Sequence, residues 1–135
     1  QELSTKVRQG SVIRARDIRL VALSKSDREV SRANRAERLR VDLVLVGNEL
    51  STPGERNVYT QIIGPDGYPL VNGSNALFDF EGDKITFSAA RQVDYQNNDL
   101  SVSLFYNGPG ITSGKYQVKI YTDGHMIGSS EISLR

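Results

Sequence analysis

Apolar and polar residues alternate in short segments along most of the chain, and turn signals separate the segments. Alternation with a period of two places every second side chain on one face of a β-strand. Leu39, Val41 and Leu43 alternate with charged residues in this way. The strands predicted from this pattern are residues 11–24, 38–46, 57–63, 84–90, 100–106, 115–122 and 125–134.

The segments lack the long helices that would connect the strands of a parallel α/β sheet. We therefore predict an all-β fold, an immunoglobulin-like antiparallel β-sandwich of about seven strands. The chain has 135 residues, which suits one domain with a core of its own. It has no cysteine, which excludes disulfides, thiolate metal sites and cysteine nucleophiles.

Two local motifs near the end of the chain refine this prediction. Asp123-Gly124 separates two strand-like segments and predicts a type I′ hairpin, whose two turn positions both need positive φ. Just upstream, Gly114 and Tyr116 resemble the entry into the penultimate strand of immunoglobulin-like domains. In that motif, the tyrosine corner, the ring is buried and the hydroxyl bonds back to the preceding turn. We predict this structural role for Tyr116.

The N-terminal boundary of the predicted sandwich follows from the pattern of the first ten residues. Leu3 and Val7 lie four residues apart, on one face of a helix. We predict that residues 1–10 are the end of a helix or coiled-coil stalk, with a frayed terminus as the alternative. Residues 11–135 are then the sandwich, with residues 25–37 as a basic linker. The chain begins without Met or a signal-peptide pattern, so we expect a longer N-terminal part.

Positive charge is concentrated in residues 1–40, which hold 11 Lys and Arg against 5 Asp and Glu. Such asymmetry is typical of chains that bind an anionic partner. The alternative is that the basic part folds onto the acidic remainder. No aromatic residue lies among these basic residues to stack on bases, so we expect no nucleic acid partner. The candidate binding residues are Arg28, Arg32, Arg35 and Arg38.

Several short motifs between Val41 and Leu134 occur together. They are Gly47-Asn48, the run from Tyr59 to Gly67, Phe87-Ser88, Val93-Asp94-Tyr95, Gly114, Tyr116, and the run from Tyr121 to Gly128. On these motifs the segment resembles the C-terminal immunoglobulin-like domain of bacterial proteins in which a membrane-anchored or exported coiled coil precedes a small sandwich. The resemblance implies a cell-envelope location, periplasmic or exported, with membrane contact only through an N-terminal anchor and self-association through an upstream coiled coil. A cytoplasmic location stays open.

Reactive side chains show no convergent pattern in the sequence. His125, the one histidine, follows a predicted hairpin turn, where side chains usually face water. We predict no catalytic residue and no cofactor. The weak candidate for a calcium site is the acidic loop with Asp79, Glu81 and Asp83, and solvated loop acids are the alternative.

Tyrosines near strand ends give the last set of candidate binding residues. Tyr68, Tyr95 and Tyr106 could form an aromatic patch that contacts a ligand. Partial burial at the edges of the sandwich is the alternative. We predict a non-catalytic protein-protein interaction or structural module, whose partner is another protein. The alternatives are a carbohydrate- or calcium-binding domain, and a domain that binds an anionic ligand, nucleic acid or lipid, through its basic N-terminal segment.

Overall fold

The computed structural model describes residues 13–48, 50–71, 77–108 and 110–135. Apart from one 3₁₀ turn, Ala33–Arg35, the regular elements in these ranges are β-strands. The strands are β1 Ala15–Leu23, β2 Glu29–Val30, β3 Arg38–Leu45, β4 Gly54–Ile63, β5 Leu77–Phe80, β6 Asp83–Thr86, β7 Ala89–Tyr95, β8 Leu100–Tyr106, β9 Gly114–Thr122 and β10 His125–Leu134.

Two four-stranded antiparallel sheets form the sandwich. The first has the order β2-β1-β3-β8 and the second the order β10-β9-β4-β7. The seven long strands follow the immunoglobulin-like order, with A, B and E in one sheet and G, F, C and C′ in the other. The predicted all-β, immunoglobulin-like sandwich is confirmed.

Strict alternation builds the core between the sheets. In β3, residues Leu39, Val41, Leu43 and Leu45 are buried while the residues between them are partly exposed. In β9, Val118 and Ile120 face them from the second sheet and are fully buried. At about 25 cal/mol per Å² of buried apolar surface, these inward positions supply the main force for folding.

The structure has ten strands, and one predicted strand is wrong. Residues 84–90 do not form a single strand, because β6 ends at Thr86 and β7 begins at Ala89. The break is fixed by Ser88, whose hydroxyl accepts a hydrogen bond from Ile62 N at 2.9 Å and donates one to Leu70 O at 2.5 Å. The short strands β2, β5 and β6 were not predicted, since two to four residues are too few to show alternation.

The β5–β6 hairpin covers the outer face of the second sheet. Phe78 stacks on Tyr59 of β4, with ring centroids 4.6 Å apart and an interplanar angle of 6°. Phe78 and Phe80 also contact Tyr121 of β9, both with centroids 5.0 Å away. The hairpin is therefore held by aromatic packing across the sheet face rather than by pairing with an edge strand.

Both motifs near the end of the chain have the predicted geometry. Tyr116 is fully buried, and its hydroxyl accepts a hydrogen bond from Thr112 N at 2.8 Å and donates one to Thr112 O. Asp123 and Gly124 have φ values of 52° and 74°, as a type I′ turn requires. Leu3 and Val7, on which the prediction of an N-terminal helix rests, lie outside the described residues.

Candidate binding groove

Residues 25–37, predicted as a basic linker, are folded onto the sandwich. β2 pairs with β1 through Ala22 and Val30, and Glu37 N donates to Leu23 O at 2.8 Å. Ala33 is buried, and its backbone N–H donates to Arg135 O at 2.6 Å. This segment, which we call the arm, therefore lies between the end of β1 and the end of β10.

A groove of about 600 Å³ separates the arm and β1 from β10. On one side it is lined by Leu20, Ala22 and Val30, and on the other by Ile132 and Leu134. Two smaller depressions, of about 470 and 510 Å³, adjoin it around the 3₁₀ turn. The groove is the open seam of the sandwich, where the edges of the two sheets do not meet.

Four arginines line the groove and its adjoining depressions: Arg19, Arg32, Arg35 and Arg135. Within the described ranges, none of their side chains has an ion pair or hydrogen bond. Glu29 also lines the groove, but Arg40 binds its carboxylate at 2.8 Å. Among the described residues, the groove therefore combines arginines that form no ion pair with a floor of apolar side chains.

The other candidate arginines lie outside this groove. Arg28 is exposed in the turn at the start of the arm, which Ser24 closes by donating its N–H to Arg28 O at 2.8 Å. Arg38 forms an ion pair with Asp27, and its guanidinium lies 5.4 Å from the ring centroid of Phe105. Of the four predicted arginines, the structure brings only Arg32 and Arg35 to one depression.

The three rings of the candidate tyrosine patch lie in different environments and do not form one surface. Tyr68 is 72% exposed on a turn. Tyr95 is fully buried and its hydroxyl accepts a hydrogen bond from Asn48 N at 2.6 Å. Tyr106 is also buried, and burial raises the pKa of its hydroxyl. Tyr95 and Tyr106 occupy inward-facing strand positions and are therefore core residues.

The three acids named as a weak calcium candidate do not converge. Asp79 pairs with Lys84 across the β5–β6 hairpin at 2.7 Å, and Asp83 pairs with Phe80 in the next register position. Asp79 and Asp83 therefore project from opposite faces of the hairpin. Glu81 is exposed at the tip. No group of three acids or histidines arranged to hold a metal ion is found in the part of the chain that the structure describes.

A polar cluster closes the opposite end of the sandwich. The Asp99 carboxylate accepts hydrogen bonds from Gly47 N at 2.7 Å and from the Arg16 guanidinium at 2.8 Å. The Gly47 N–H and then Arg16 hold the pKa of Asp99 below its usual range, since both favour the ionised form. These bonds tie the start of β1 and the end of β3 to the loop before β8.

We expect Asp99→Asn to remove an acid-sensitive part of the stability. Because the pKa of Asp99 is lowered by folding, the ionised carboxylate stabilises the native state above the ordinary Asp pKa of about 3.9. That contribution is lost as the pH falls through the lower native pKa. Urea denaturation of both proteins from neutral to strongly acidic pH should show a difference that shrinks below about pH 4. A difference independent of pH would contradict this role.

Sequence reasoning missed Arg19, Arg135 and the apolar floor of the groove. Arg19 alternates correctly on the predicted first strand, so its side chain could be placed on the outer face of the sheet. Its position at an edge depends on β2 being too short to cover it. Arg135 reaches the groove because β10 ends beside the arm. Both facts are tertiary and have no local signal.

The fold and the groove define the class of protein: an immunoglobulin-like β-sandwich with a basic seam between its sheets. Residues 16–135 match the family described as "Domain of unknown function (DUF8428)", and the chain belongs to this family. Comparison with curated proteins gives no match. In the described residues, no helix is long and apolar enough to cross a membrane.

Among solved structures, the chain is similar to Pseudomonas fluorescens alkylpurine DNA glycosylase AlkC bound to DNA containing an abasic site analog. The TM-score is 0.50 and the sequence identity 13%. The match covers 98% of this chain but 36% of that enzyme chain. At this identity the similarity concerns the fold alone.

Proposed function

We propose that the protein is a non-catalytic protein-interaction module that binds an acidic segment of a partner through the groove between the arm and β10. The observation that carries the proposal is the group of four arginines around one open seam, none of which forms an ion pair with another described residue. Each of the neighbouring arginines Arg38 and Arg40 has an acidic partner. The contrast separates the groove from the paired arginines on the outer face of the first sheet.

Clustered like charges without partners raise the local potential and attract anionic segments, which speeds association. The apolar floor adds contact area that a ligand with acidic groups alone would leave uncovered. Val30, Ile132 and Leu134 pack against the core but remain partly exposed in the groove. A partner segment with both apolar and acidic residues therefore matches this surface better than a purely charged ligand.

Protein is favoured over nucleic acid because the residues that line the groove include no aromatic side chain. Single-stranded nucleic acids gain about 1–3 kcal/mol per base by stacking on aromatic rings. The DNA-bound glycosylase that shares the fold makes an oligonucleotide the appropriate competitor in a binding test. Envelope location and attachment through an upstream coiled coil remain proposals that accompany the interaction role.

The groove arginines can be tested by charge reversal. We expect the double variant Arg19→Glu and Arg32→Glu to bind fluorescent poly-L-glutamate about tenfold more weakly at low salt, a loss of about 1.4 kcal/mol. Fluorescence anisotropy measures the dissociation constant, and raising the salt should weaken wild-type binding. Thermal melting checks the fold, which exposed substitutions should leave nearly unchanged.

Arg14→Glu with Arg28→Glu is the matched control. Both arginines are exposed, have no side-chain partner in the described ranges and lie outside the groove, so the net charge changes equally. We expect at most about a twofold loss of binding in this variant, as for a change in long-range charge alone. Equal losses in the two variants would refute the groove as the site. Tighter binding of a thymidine oligonucleotide than of poly-L-glutamate would favour a nucleic acid partner instead.

A further inference from the structure

The second half of β10 is an open sheet edge. β10 pairs with β9 along its length, and its other side has no strand partner among the described residues. The first half is covered, because Gly128 lies against Ile18 and Ala15 of β1. Beyond it, Ile132, Ser133 and Leu134 border the groove, and the next residue, Arg135, is tied to the arm through Ala33. Within the described residues, the outer backbone groups of residues 129–134 therefore have no strand to pair with, and an edge of this kind can pair with another chain.

This edge lacks a proline, a bulge and an inward-facing charge, three of the features that block strand pairing. Residues 129–134 contain no proline, and the bulge in β10 lies earlier, between Met126 and Gly128. The inward side chains of this stretch are Ser130, Ile132 and Leu134, none of them charged, as shown by their pairing with inward residues of β9. By contrast, the edge strand β7 is held against β8 by a hydrogen bond from Arg91 to Ser103 O.

We infer that β10 binds an extended segment of another protein as an added antiparallel strand, with apolar residues facing the groove and acidic residues flanking them. This inference rests on the proposed function and specifies the form of the partner. The inward side chains of such a strand would lie over Ile132, Leu134 and Val30. Its acidic residues would lie near Arg32 and Arg135, which line the depression at the end of β10.

A second copy of this chain fits the edge less well. Pairing of two β10 strands around a two-fold axis within residues 129–134 brings the two arginine-lined grooves together. Like charges on neighbouring strands are destabilising. Charge complementarity therefore favours an acidic partner.

The probe for this inference is a peptide with an alternating Val-Thr core of about six residues, the length of the open edge, and two Glu residues at each end. A second peptide has the same sequence with every core amide N-methylated, which removes the hydrogen-bond donors and keeps the charge. We expect the methylated peptide to bind at least about tenfold more weakly by fluorescence anisotropy. We also expect the unmodified peptide to slow amide hydrogen exchange in residues 129–134.

Ser130→Asp and Ser129→Asp form a matched pair of variants. Ser130 faces inward and Ser129 outward on the same strand, so the two changes add the same charge to opposite faces. We expect Ser130→Asp to weaken peptide binding about tenfold and Ser129→Asp to change it less than about twofold, because an inward charge blocks an edge. Poly-L-glutamate binding should fall equally in both. The methylated peptide keeps the test independent of how well either variant folds.

Equal binding of the two peptides, or unchanged exchange in residues 129–134, would overturn strand addition while leaving the acidic groove intact. Strand addition would also be overturned if the unmodified peptide did not bind while poly-L-glutamate still bound through the groove arginines. Equal weakening of poly-L-glutamate binding by the groove variant and by the Arg14→Glu, Arg28→Glu control would instead overturn the proposed function. Dimers in sedimentation, together with protected β10 amides without peptide, would assign the edge to a second copy and refute the acidic partner.

Discussion

Replacing Tyr116 by Ala should lower the free energy of unfolding by about 3–5 kcal/mol, as expected when a large aromatic side chain is removed from a packed core. The ring is fully buried at the start of β9. Its hydroxyl also satisfies both the N–H and the carbonyl of Thr112. The substitution therefore removes core packing and the anchor of the preceding turn together. Urea denaturation measures the loss.

Tyr116→Phe separates these two contributions. It retains the ring and removes only the hydroxyl, which leaves the Thr112 N–H without its bond. We expect a loss of about 0.5–1.5 kcal/mol, the usual net contribution of one hydrogen bond, because Thr112 is exposed and water can replace the hydroxyl. Tyr68→Ala is the control, because Tyr68 is 72% exposed and its loss should stay within about 0.5 kcal/mol. Similar losses at Tyr116 and Tyr68 would refute the tyrosine corner as a stabilising element.

The tyrosine corner was predictable because its determinants are consecutive in sequence. Gly114, Tyr116 and the turn before them act within a few residues, and the hairpin at Asp123-Gly124 is equally local. Alternation likewise located β3, β8, β9 and β10, whose inward residues form the core. These features depend on local backbone geometry and on alternation with a period of two, and both can be read from a single sequence.

The candidate site was predictable only in part. The basic composition of the arm indicated Arg32 and Arg35, but the groove also needs Arg19 of β1 and Arg135 after β10, which lie on opposite sides of the seam. Its place near a strand end makes Tyr95 a candidate for the aromatic patch, with partial burial as the alternative. In the structure Gly54 pairs with Tyr95, whose ring is stacked near the Arg56 guanidinium at the end of the core. Such burial follows from sheet order, which local patterns do not specify.

Charge balance explains why the arm is more than a linker. The two acids nearest its start, Asp27 and Glu29, pair with Arg38 and Arg40 on the outer face of the first sheet. Exposed pairs of this kind contribute little stability, about 0–1 kcal/mol each. Their effect is instead on the surface potential, because they leave Arg32 and Arg35 without counterions. The same arrangement that folds the arm onto the sandwich therefore generates the basic groove.

Replacing Gly114 by Ala should be the most damaging of the glycine substitutions at the turns of the sandwich. Gly114 begins β9 with φ of 136°, a conformation that side chains rarely adopt. A Cβ placed there would also lie 2.7 Å from both Cβ and Cγ of Pro65, and a proline ring has little freedom to move away. We expect a loss of about 2–4 kcal/mol, from backbone strain of about 1–3 kcal/mol plus steric overlap.

Gly82→Ala supplies the matched comparison, because Gly82 has φ of 85° and a Cβ there would meet no atom within 4 Å. Its free energy of unfolding should fall only by the cost of the left-handed conformation, about 1–2 kcal/mol. The overlap with Pro65 can be isolated further by combining Gly114→Ala with Pro65→Gly, which removes the ring. In a double-mutant cycle measured by urea denaturation, the pair should recover about 1 kcal/mol relative to the sum of the single losses. Equal losses for Gly114→Ala and Gly82→Ala, with no coupling to Pro65, would contradict this prediction. They would show that the start of β9 can move away from the 64–67 turn without cost.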